Sequence, residues 1–228
     1  MVKSTGTAAP DGLSLRERKK QQTAMRIWHS AIALFAERGF DEVSVAEIAA
    51  AADVSKMTVF NYFPSKEDLV MAPMEQHTDE PARVVRDRAP GTSVVAALRT
   101  HFLAALAEFD PATGLNDHRF TVDVVRLIYR TPALALRATT AFGHTANELL
   151  TSELLAEDPE GDRVLAQAAA AQLLGVRAAL TSDNQRRMMA GERAAEVLPE
   201  AVENARRAFD LVEHGLGDYG TRPPGAPA

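Results

Sequence analysis

Residues 44–63, SVAEIAAAADVSKMTVFNYF, decide the fold of this chain. The first half predicts a short helix, because Ser44 and Glu47 have the spacing of a capping box and apolar residues follow at intervals of three and four. The second half predicts another helix, which Ser55 caps. Pro64 ends this helix, since the residue before a proline is driven out of the α region. Two short helices are therefore joined by a tight turn.

This arrangement is typical of a helix-turn-helix, whose second helix presents polar side chains to the major groove of DNA. In that helix Val59 and Phe63 share one apolar face. Two such helices cannot bury their apolar faces alone, and an apolar stripe over 15–38, ended by Gly39, predicts a third helix across them. The expected core of this three-helix unit is Trp28, Ile32, Phe35, Phe40, Val45, Ile48, Val54, Val59 and Phe63.

Composition limits the class of protein. The chain has 228 residues, of which 46% are hydrophobic, enough for one large or two modest domains. Cysteine is absent, which excludes disulfides, thiol nucleophiles and cysteine-ligated zinc. No signal peptide is expected at the N-terminus, and the longest weakly polar run, 164–176, is too short to span a bilayer. We therefore expect a cytoplasmic protein without a membrane partner.

The net charge of −6 is distributed unevenly. Residues 1–70 carry nine basic and nine acidic residues, so the whole acidic excess lies in the later part of the chain. A basic domain is a stronger indication of DNA binding than this neutral one. The basic charge that is present is concentrated at Arg16, Arg18, Lys19 and Lys20.

Proline and glycine divide the rest of the chain into helical segments, and no segment alternates with period two. The sequence therefore predicts an all-α fold with a larger helical bundle after the helix-turn-helix. The predicted domains are a disordered arm over 1–13, a helix-turn-helix domain over 14–64, a helical domain over 65–217 and a disordered tail over 218–228. The later helices are expected at 66–77, 93–109, 117–129, 133–156, 161–182 and 194–216, with a connection over 78–92 that has room for one helical turn.

Residues 15–70 resemble the DNA-binding domain of the TetR family of transcriptional regulators. The strings SVAEIAAAADVSKMTVFNYFPSKEDLV and, before it, AIALFAERGFDEV carry this resemblance. Asp53 stands where the family usually has glycine, and aspartate tolerates the left-handed backbone that the turn needs. Phe60 stands where the family usually has tyrosine. Because phenylalanine cannot bond a phosphate, one positioning contact is lost or replaced by ring packing on the DNA backbone.

The resemblance implies a set of DNA contacts. Lysine can donate to guanine and asparagine can pair with adenine, whereas other contacts go to phosphates. The predicted DNA-contacting residues are Ser44, Ser55, Lys56, Met57, Thr58, Phe60, Asn61, Tyr62 and Lys66, with Arg16, Arg18 and Lys19 of the first helix. Alternatives stay open: Ser44 and Ser55 as caps only, Met57 as partly core, and the basic cluster as a solvated helix start.

The resemblance also implies two further partners. The last two long helices are expected to pair across a two-fold axis in a homodimer, so that two recognition helices meet a near-palindromic operator. A small-molecule effector is expected between helices of the larger domain. The candidate effector residues, each of which could instead be core or surface, are Phe102, Leu106, Phe109, Phe120, Val124, Leu127, Phe142, Arg126 and Asn147. A weaker resemblance over 120–215, to regulators with an acyl-CoA-like ligand-binding domain, implies a long apolar effector such as a fatty acyl thioester.

Enzymatic readings have little support, because the chain has no G-x-S-x-G, P-loop, G-x-G-x-x-G or H-E-x-x-H motif. The six histidines do not fall in metal-ligand spacing, so neither a metal nor a cofactor is predicted. The favoured function is a dimeric, ligand-responsive transcriptional regulator that acts as a repressor. Two alternatives stay open: an effector-independent architectural DNA-binding protein, and a helical small-molecule-binding protein with a degenerate DNA reader.

Overall fold

The computed structural model describes residues 14–75, 77–157 and 160–215. It is 78% helical with no strand in these ranges, which confirms the all-α prediction. The chain divides into an N-terminal unit, Met1–Ala72, and a C-terminal unit, Pro73–Ala228. The domain limits predicted from the sequence stay predictions. The arm predicted over 1–13 and the tail predicted over 218–228 lie outside the described residues.

The N-terminal unit begins with three helices at the predicted places. They are α1 (Leu15–Arg38), α2 (Val45–Ala51) and α3 (Lys56–Tyr62). Ser44 caps α2 and Ser55 caps α3, as predicted. α2 packs against both α1 and α3. A fourth helix, α4 (Asp68–Glu75), follows and spans the division between the two units.

Helices α1, α2 and α3 each contribute buried apolar side chains to the core of the N-terminal unit. Two of its members, Val59 and Phe63, come from α3 and the residue after it, and each buried side chain of this size contributes roughly 1.5–3 kcal/mol. The buried apolar residues from α1 to the end of α3 are Ile27, Ala31, Ile32, Phe35, Phe40, Val43, Ile48, Ala49, Ala52, Val59 and Phe63. Three predicted core residues, Trp28, Val45 and Val54, are only partly buried.

The turn between α2 and α3 depends on the backbone at Asp53, whose φ is 51°. The N–H of Val54 donates to the carbonyl of Ala49 at 2.9 Å, and the N–H of Asp53 donates to that of Ala50 at 3.2 Å. These two bonds are those of a Schellman motif, which normally has glycine at the left-handed position. The predicted left-handed aspartate is therefore confirmed, and the helix-turn-helix geometry is kept.

Seven α-helices after α4 form the described part of the C-terminal unit. They are α5 (Glu80–Arg86), α6 (Val94–Ala107), α7 (Arg119–Arg130), α8 (Pro132–Arg137), α9 (Gly143–Glu157), α10 (Arg163–Met189) and α11 (Ala194–His214). α10 is the central helix, because it packs against α6, α7, α9 and α11. α11 packs in turn against α6, where the rings of Phe102 and Phe209 lie 6.1 Å apart in the core.

A short 3₁₀ helix, Pro111–Thr113, attaches the loop after α6 to α10. The side-chain amide of Asn184 donates to the carbonyl of Thr113 at 2.9 Å, in a buried position. Gly114 follows with a φ of 75°, and a Cβ at this position would lie 2.4 Å from the carbonyl oxygen of Thr181. Only glycine satisfies both this backbone conformation and this close approach.

The connection predicted over 78–92 contains α5, which is longer than the one helical turn expected there. Two helix predictions were also wrong in extent. The helix predicted over 133–156 is interrupted by a π-helical turn, Ala138–Phe142, between α8 and α9. At this point the hydroxyls of Thr139 and Thr140 bond back to carbonyls of the preceding turn, a competition that disturbs regular helix. The helix predicted over 161–182 instead continues to Met189, because nothing stops it before Gly191, whose φ is 89°.

Candidate nucleic-acid interface

The exposed side of α3 carries most of the residues that were predicted to meet base edges. Lys56, Met57, Phe60 and Asn61 are exposed, whereas Val59 is fully buried. Met57 is 70% exposed, so the alternative in which it is partly core is wrong. α3 therefore presents one face to its own unit and a mixed cationic, apolar and amide face to solvent.

Phe60 has a contact that sequence reasoning missed. The Nζ of Lys56 lies 5.8 Å from the centroid of the Phe60 ring, within the range of a cation–π interaction worth about 0.5–1 kcal/mol at an exposed site. The two residues are four apart on one helix, which is the spacing that brings side chains together. That spacing was visible in the sequence and could have identified the pair. The ring favours one placement of the Lys56 ammonium on the exposed face.

Ser55 and Thr58 are joined at the start of α3. The Ser55 hydroxyl accepts from the backbone N–H of Thr58 at 3.0 Å, and the two hydroxyl oxygens lie 2.8 Å apart. One of the two hydroxyls donates to the other, which leaves one hydroxyl hydrogen available to a base or phosphate. Both residues therefore have a capping role, and a DNA contact from one of them stays a prediction.

Ser44 is fully engaged within its own helix cap. Its hydroxyl donates to a carboxylate oxygen of Glu47 at 2.7 Å, and its backbone N–H donates to the same oxygen at 2.9 Å. A phosphate oxygen only accepts hydrogen bonds, so Ser44 can donate to DNA only if it releases Glu47. The structure thus favours the capping interpretation of Ser44 over the predicted phosphate contact.

The Glu47 carboxylate is held in place from two helices. Besides Ser44, the guanidinium of Arg38 at the end of α1 donates to its other oxygen at 2.7 Å. The hydrogen bonds from the Ser44 backbone, the Ser44 hydroxyl and Arg38 lower the pKa of Glu47 to about 2. At neutral pH the N-terminus of α2 is thereby occupied by a negative charge, which also ties α2 to α1.

Lys66, predicted as a phosphate contact, is held against the core of the N-terminal unit. Its Nζ lies 4.6 Å from the ring centroid of Phe40 and 5.7 Å from that of Phe35, and it donates to the carbonyl of Asp41 at 3.3 Å. The side chain is only partly exposed, as is that of Tyr62. Phosphate contacts from both residues stay predictions.

The basic residues Arg16, Arg18 and Lys19 lie in the first two turns of α1 and are exposed. They belong to a different helix from the exposed face of α3. Their charge is available to solvent or to a nucleic acid backbone, and a contact to DNA stays a prediction.

The candidate effector residues are dispersed over the C-terminal unit. Phe102 and Leu106 are fully buried in its hydrophobic core, where packing explains them. Phe109 has a φ of 52° and packs against the same core.

The predicted effector residues of α7 differ in burial. Val124 and Leu127 are buried, and Phe120 is half-buried. The Arg126 guanidinium donates to the carbonyl of Met189 at 2.9 Å. The side chain of Phe142 lies outside the described residues.

The C-terminal unit has a small cavity that sequence reasoning missed. It measures about 170 Å³ and is formed by the last turn of α4, by α7, by α8 with the π-helical turn, and by α10. Its lining residues are Met74, Val125, Ile128, Tyr129, Ala135, Ala138, Thr139 and Gln185. Arg137 at the end of α8 and Glu75 at the end of α4 form an ion pair at 2.5 Å. Of the predicted effector residues, Asn147 lines a wider surface groove of about 900 Å³.

Within the described ranges, no group of three or more histidine, aspartate or glutamate side chains is placed to hold a metal ion. α10 is long and apolar enough to cross a membrane by length and composition, and 11% of its most apolar 18-residue window is buried within the chain.

Comparison with known proteins agrees with the geometry of the N-terminal unit. The family model described as bacterial regulatory proteins, tetR family, matches residues 27–72. The chain is 29% identical to the HTH-type transcriptional regulator TcmR of Streptomyces glaucescens over 128 residues, 56% of this chain and 57% of that protein. It is 50% identical to the HTH-type transcriptional regulator LuxR of Vibrio harveyi over 52 residues, 23% of this chain and 24% of that protein.

The fold extends the likeness beyond the matched segment. The solved structure of Salmonella enterica GusR is 25% identical, with a TM-score of 0.54, over 85% of this chain and 94% of that one. The chain spans little more than half of the length of TcmR, so this likeness by itself does not assign the activity of the whole protein. Family model, relatives and fold agree that residues 27–72 are similar to the helix-turn-helix unit of tetR-family transcriptional regulators, on an all-α fold like that of GusR.

The cap on Glu47 predicts an acid dependence of stability. Because its folded-state pKa lies below the ordinary value of 4.5, its contribution is complete above about pH 4.5 and is lost as the pH falls towards 2. We expect the thermal midpoint of the wild-type chain to fall more steeply between pH 4.5 and 2 than that of Glu47→Gln. Thermal unfolding followed by circular dichroism at a series of pH values measures this difference.

The control is Glu37→Gln, which removes the same charge from an exposed position of α1. This variant should keep the wild-type slope. Equal slopes for the wild type and Glu47→Gln would contradict the proposed role of the cap.

Proposed function

We propose that this chain is a dimeric repressor that binds a near-palindromic operator through α3 and is released by a small, mostly apolar effector. The observation that carries the proposal is the exposed face of α3, where Lys56, Met57, Phe60 and Asn61 stand on a helix fixed by buried Val59. The same proposal includes a cytoplasmic location, because a repressor must be in the compartment that holds its operator DNA.

The polar groups on this face, one ammonium and one amide, support DNA binding in spite of the neutral N-terminal unit. Lysine can pair with guanine, and asparagine can make a bidentate pair with adenine. Phe60 restrains the Lys56 ammonium, so less rotamer entropy is lost when the lysine meets a base. A few positioned contacts can then replace a broad basic surface.

The exposed surface of α10 supports a homodimer. This apolar helix is mostly unburied within one chain, and a mostly apolar groove of about 610 Å³ runs between α10 and α11. The groove is lined by Gln172, Gly175, Val176, Ala179, Leu180, Asp183, Asn184, Asn204, Ala208, Leu211 and Val212. A second copy that covers it in a two-fold arrangement would bury this surface and provide two recognition helices about one turn of DNA apart.

The cavity beside α4 supports control by a ligand. It contacts Met74 in the last turn of α4, and α4 is the covalent connection between the two units. A ligand that prefers a different position of Met74 therefore favours a different position of α4. The volume of about 170 Å³ suits a group of one or two rings, since a cavity of about 150 Å³ holds benzene. A long acyl chain needs a wider pocket, so this volume favours the small effector over the fatty acyl thioester.

One alternative is a protein whose DNA reader has degenerated, a possibility that rested on Asp53 and Phe60. Asp53 closes the Schellman turn and Phe60 holds Lys56, so both departures keep the motif usable. The other alternative is an effector-independent architectural binder, which differs from the repressor by its low sequence specificity.

DNA selection tests the proposed function. We expect the wild-type chain to enrich one sequence from random duplexes and to bind it at least about 10³-fold more tightly than random DNA at physiological salt. Lys56→Ala should weaken binding of the selected duplex by roughly 1–3 kcal/mol, because it removes a base contact. Fluorescence anisotropy over a series of salt concentrations measures both quantities.

Lys20→Ala is the matched control, because it removes the same charge from an exposed position of α1. Any loss that it causes should be equal for selected and random DNA. High affinity without sequence preference favours the architectural binder, no binding at all favours the degenerate reader, and an unchanged Lys56→Ala removes Lys56 from the interface.

The dimer has its own test. Ala179 is exposed on α10 and lines the groove, so Ala179→Arg should place a charge in the interface and give a monomer of 24.6 kDa. The wild type and the control Ala133→Arg, at an exposed position of α8, should keep twice that mass. Sedimentation at micromolar concentration measures the mass, and a monomeric wild type contradicts the dimer.

The effector cavity is tested with ring-sized probes. We expect benzene or indole to raise the thermal midpoint of the wild type by mass action and to lower operator affinity. Ala138→Leu, which fills the cavity, should abolish both responses while it keeps operator binding. Ala133→Leu, outside the cavity, should respond like the wild type, and a decanoyl thioester that acts where the rings do not would overturn the small-effector proposal.

A further inference from the structure

Met57 is the most exposed of the large apolar side chains described in the N-terminal unit, at 70%. It lies in the first turn of α3, next to Lys56. The packing of α3 depends on Val59 and on Phe63, both buried, and not on Met57. A single exposed apolar side chain is ordinary, but this one lies on the helix proposed to enter the major groove and has a second exposed apolar residue near it on the same helix.

Phe60 extends the apolar surface beside Met57. It is three residues further along α3, so the two side chains are neighbours on the helix surface, and its ring is 39% exposed. The same ring attracts the ammonium of Lys56. The exposed face therefore combines an apolar area, Met57 with Phe60, and one restrained positive charge.

The base edges of the major groove offer one apolar group, the C5 methyl of thymine, among hydrogen-bond donors and acceptors. N-terminal residues of a recognition helix are those that reach these edges. A methionine there can follow the position of a methyl group, because its unbranched thioether adapts its shape. We propose that Met57, supported by Phe60, is a specificity-determining residue that reads a thymine methyl in each operator half-site.

This inference rests on the proposed function, since it requires that α3 bind a specific duplex. The experiment takes the duplex selected from random DNA by the 228-residue chain and replaces each thymine in turn with deoxyuridine. Deoxyuridine keeps the base pair and removes only the methyl group. At one or two positions in each half-site we expect about fourfold weaker binding, the ratio that corresponds to roughly 0.8 kcal/mol for one buried carbon.

Met57→Ala identifies the side chain that reads the methyl. Alanine is the best helix former, so α3 should persist, and an unchanged thermal midpoint checks this. At the sensitive positions, the thymine-to-deoxyuridine affinity ratio should fall from about four to about one. Met25→Ala, which removes the same side chain from an exposed position of α1, should keep the ratio of about four.

Different failures have different meanings. If no sequence is selected, the proposed function itself fails. If a sequence is selected but deoxyuridine costs nothing at any position, or if Met57→Ala keeps the fourfold ratio, only the thymine inference is overturned.

Discussion

The arrangement of the predicted DNA-contacting residues depends on one backbone conformation, the left-handed Asp53 that turns the chain from α2 into α3. A helix of seven residues such as α3 is not stable alone in water, so its direction is set by the turn before it and by the burial of Val59. An aspartate can hold this conformation at a modest cost. The cost is offset by the two hydrogen bonds of the turn and by the apolar contacts that the turn makes possible.

Two basic side chains of the same unit make contacts within it and not with solvent alone. The Arg38–Glu47 pair joins the end of α1 to the start of α2, and Lys66 is held over the rings of Phe35 and Phe40. These cations stabilise the scaffold instead of forming a general positive field. The proposed binding of DNA therefore depends on a small number of well-placed groups on α3. Such an interface gains relatively more of its selectivity from base edges than from phosphates.

The C-terminal unit has two features on which the proposed dimer and the proposed effector site depend. α10 is central to the core on one side and largely exposed on the other, which is how a helix shared between a monomer core and a subunit interface is built. The cavity lies where α10, α7 and the π-helical turn approach the end of α4. π-helical turns often occur at functional sites, because the extra residue loosens the regular helix. The proposed control by a ligand requires that the ligand prefer one position of α4 over another.

Local interactions were predictable from the sequence, because they depend on residues a few positions apart. The capping spacings at Ser44 and Ser55, the left-handed Asp53 and the all-α class all followed from such short-range rules. Even the Lys56–Phe60 contact has a spacing that the sequence displays. The tertiary structure alone decided which helix faces remain exposed, that Phe102 and Leu106 pack in the core, and where α4, α7, α8 and α10 leave a cavity. Burial and empty volume arise from contacts between residues far apart in the chain, and no local pattern specifies them.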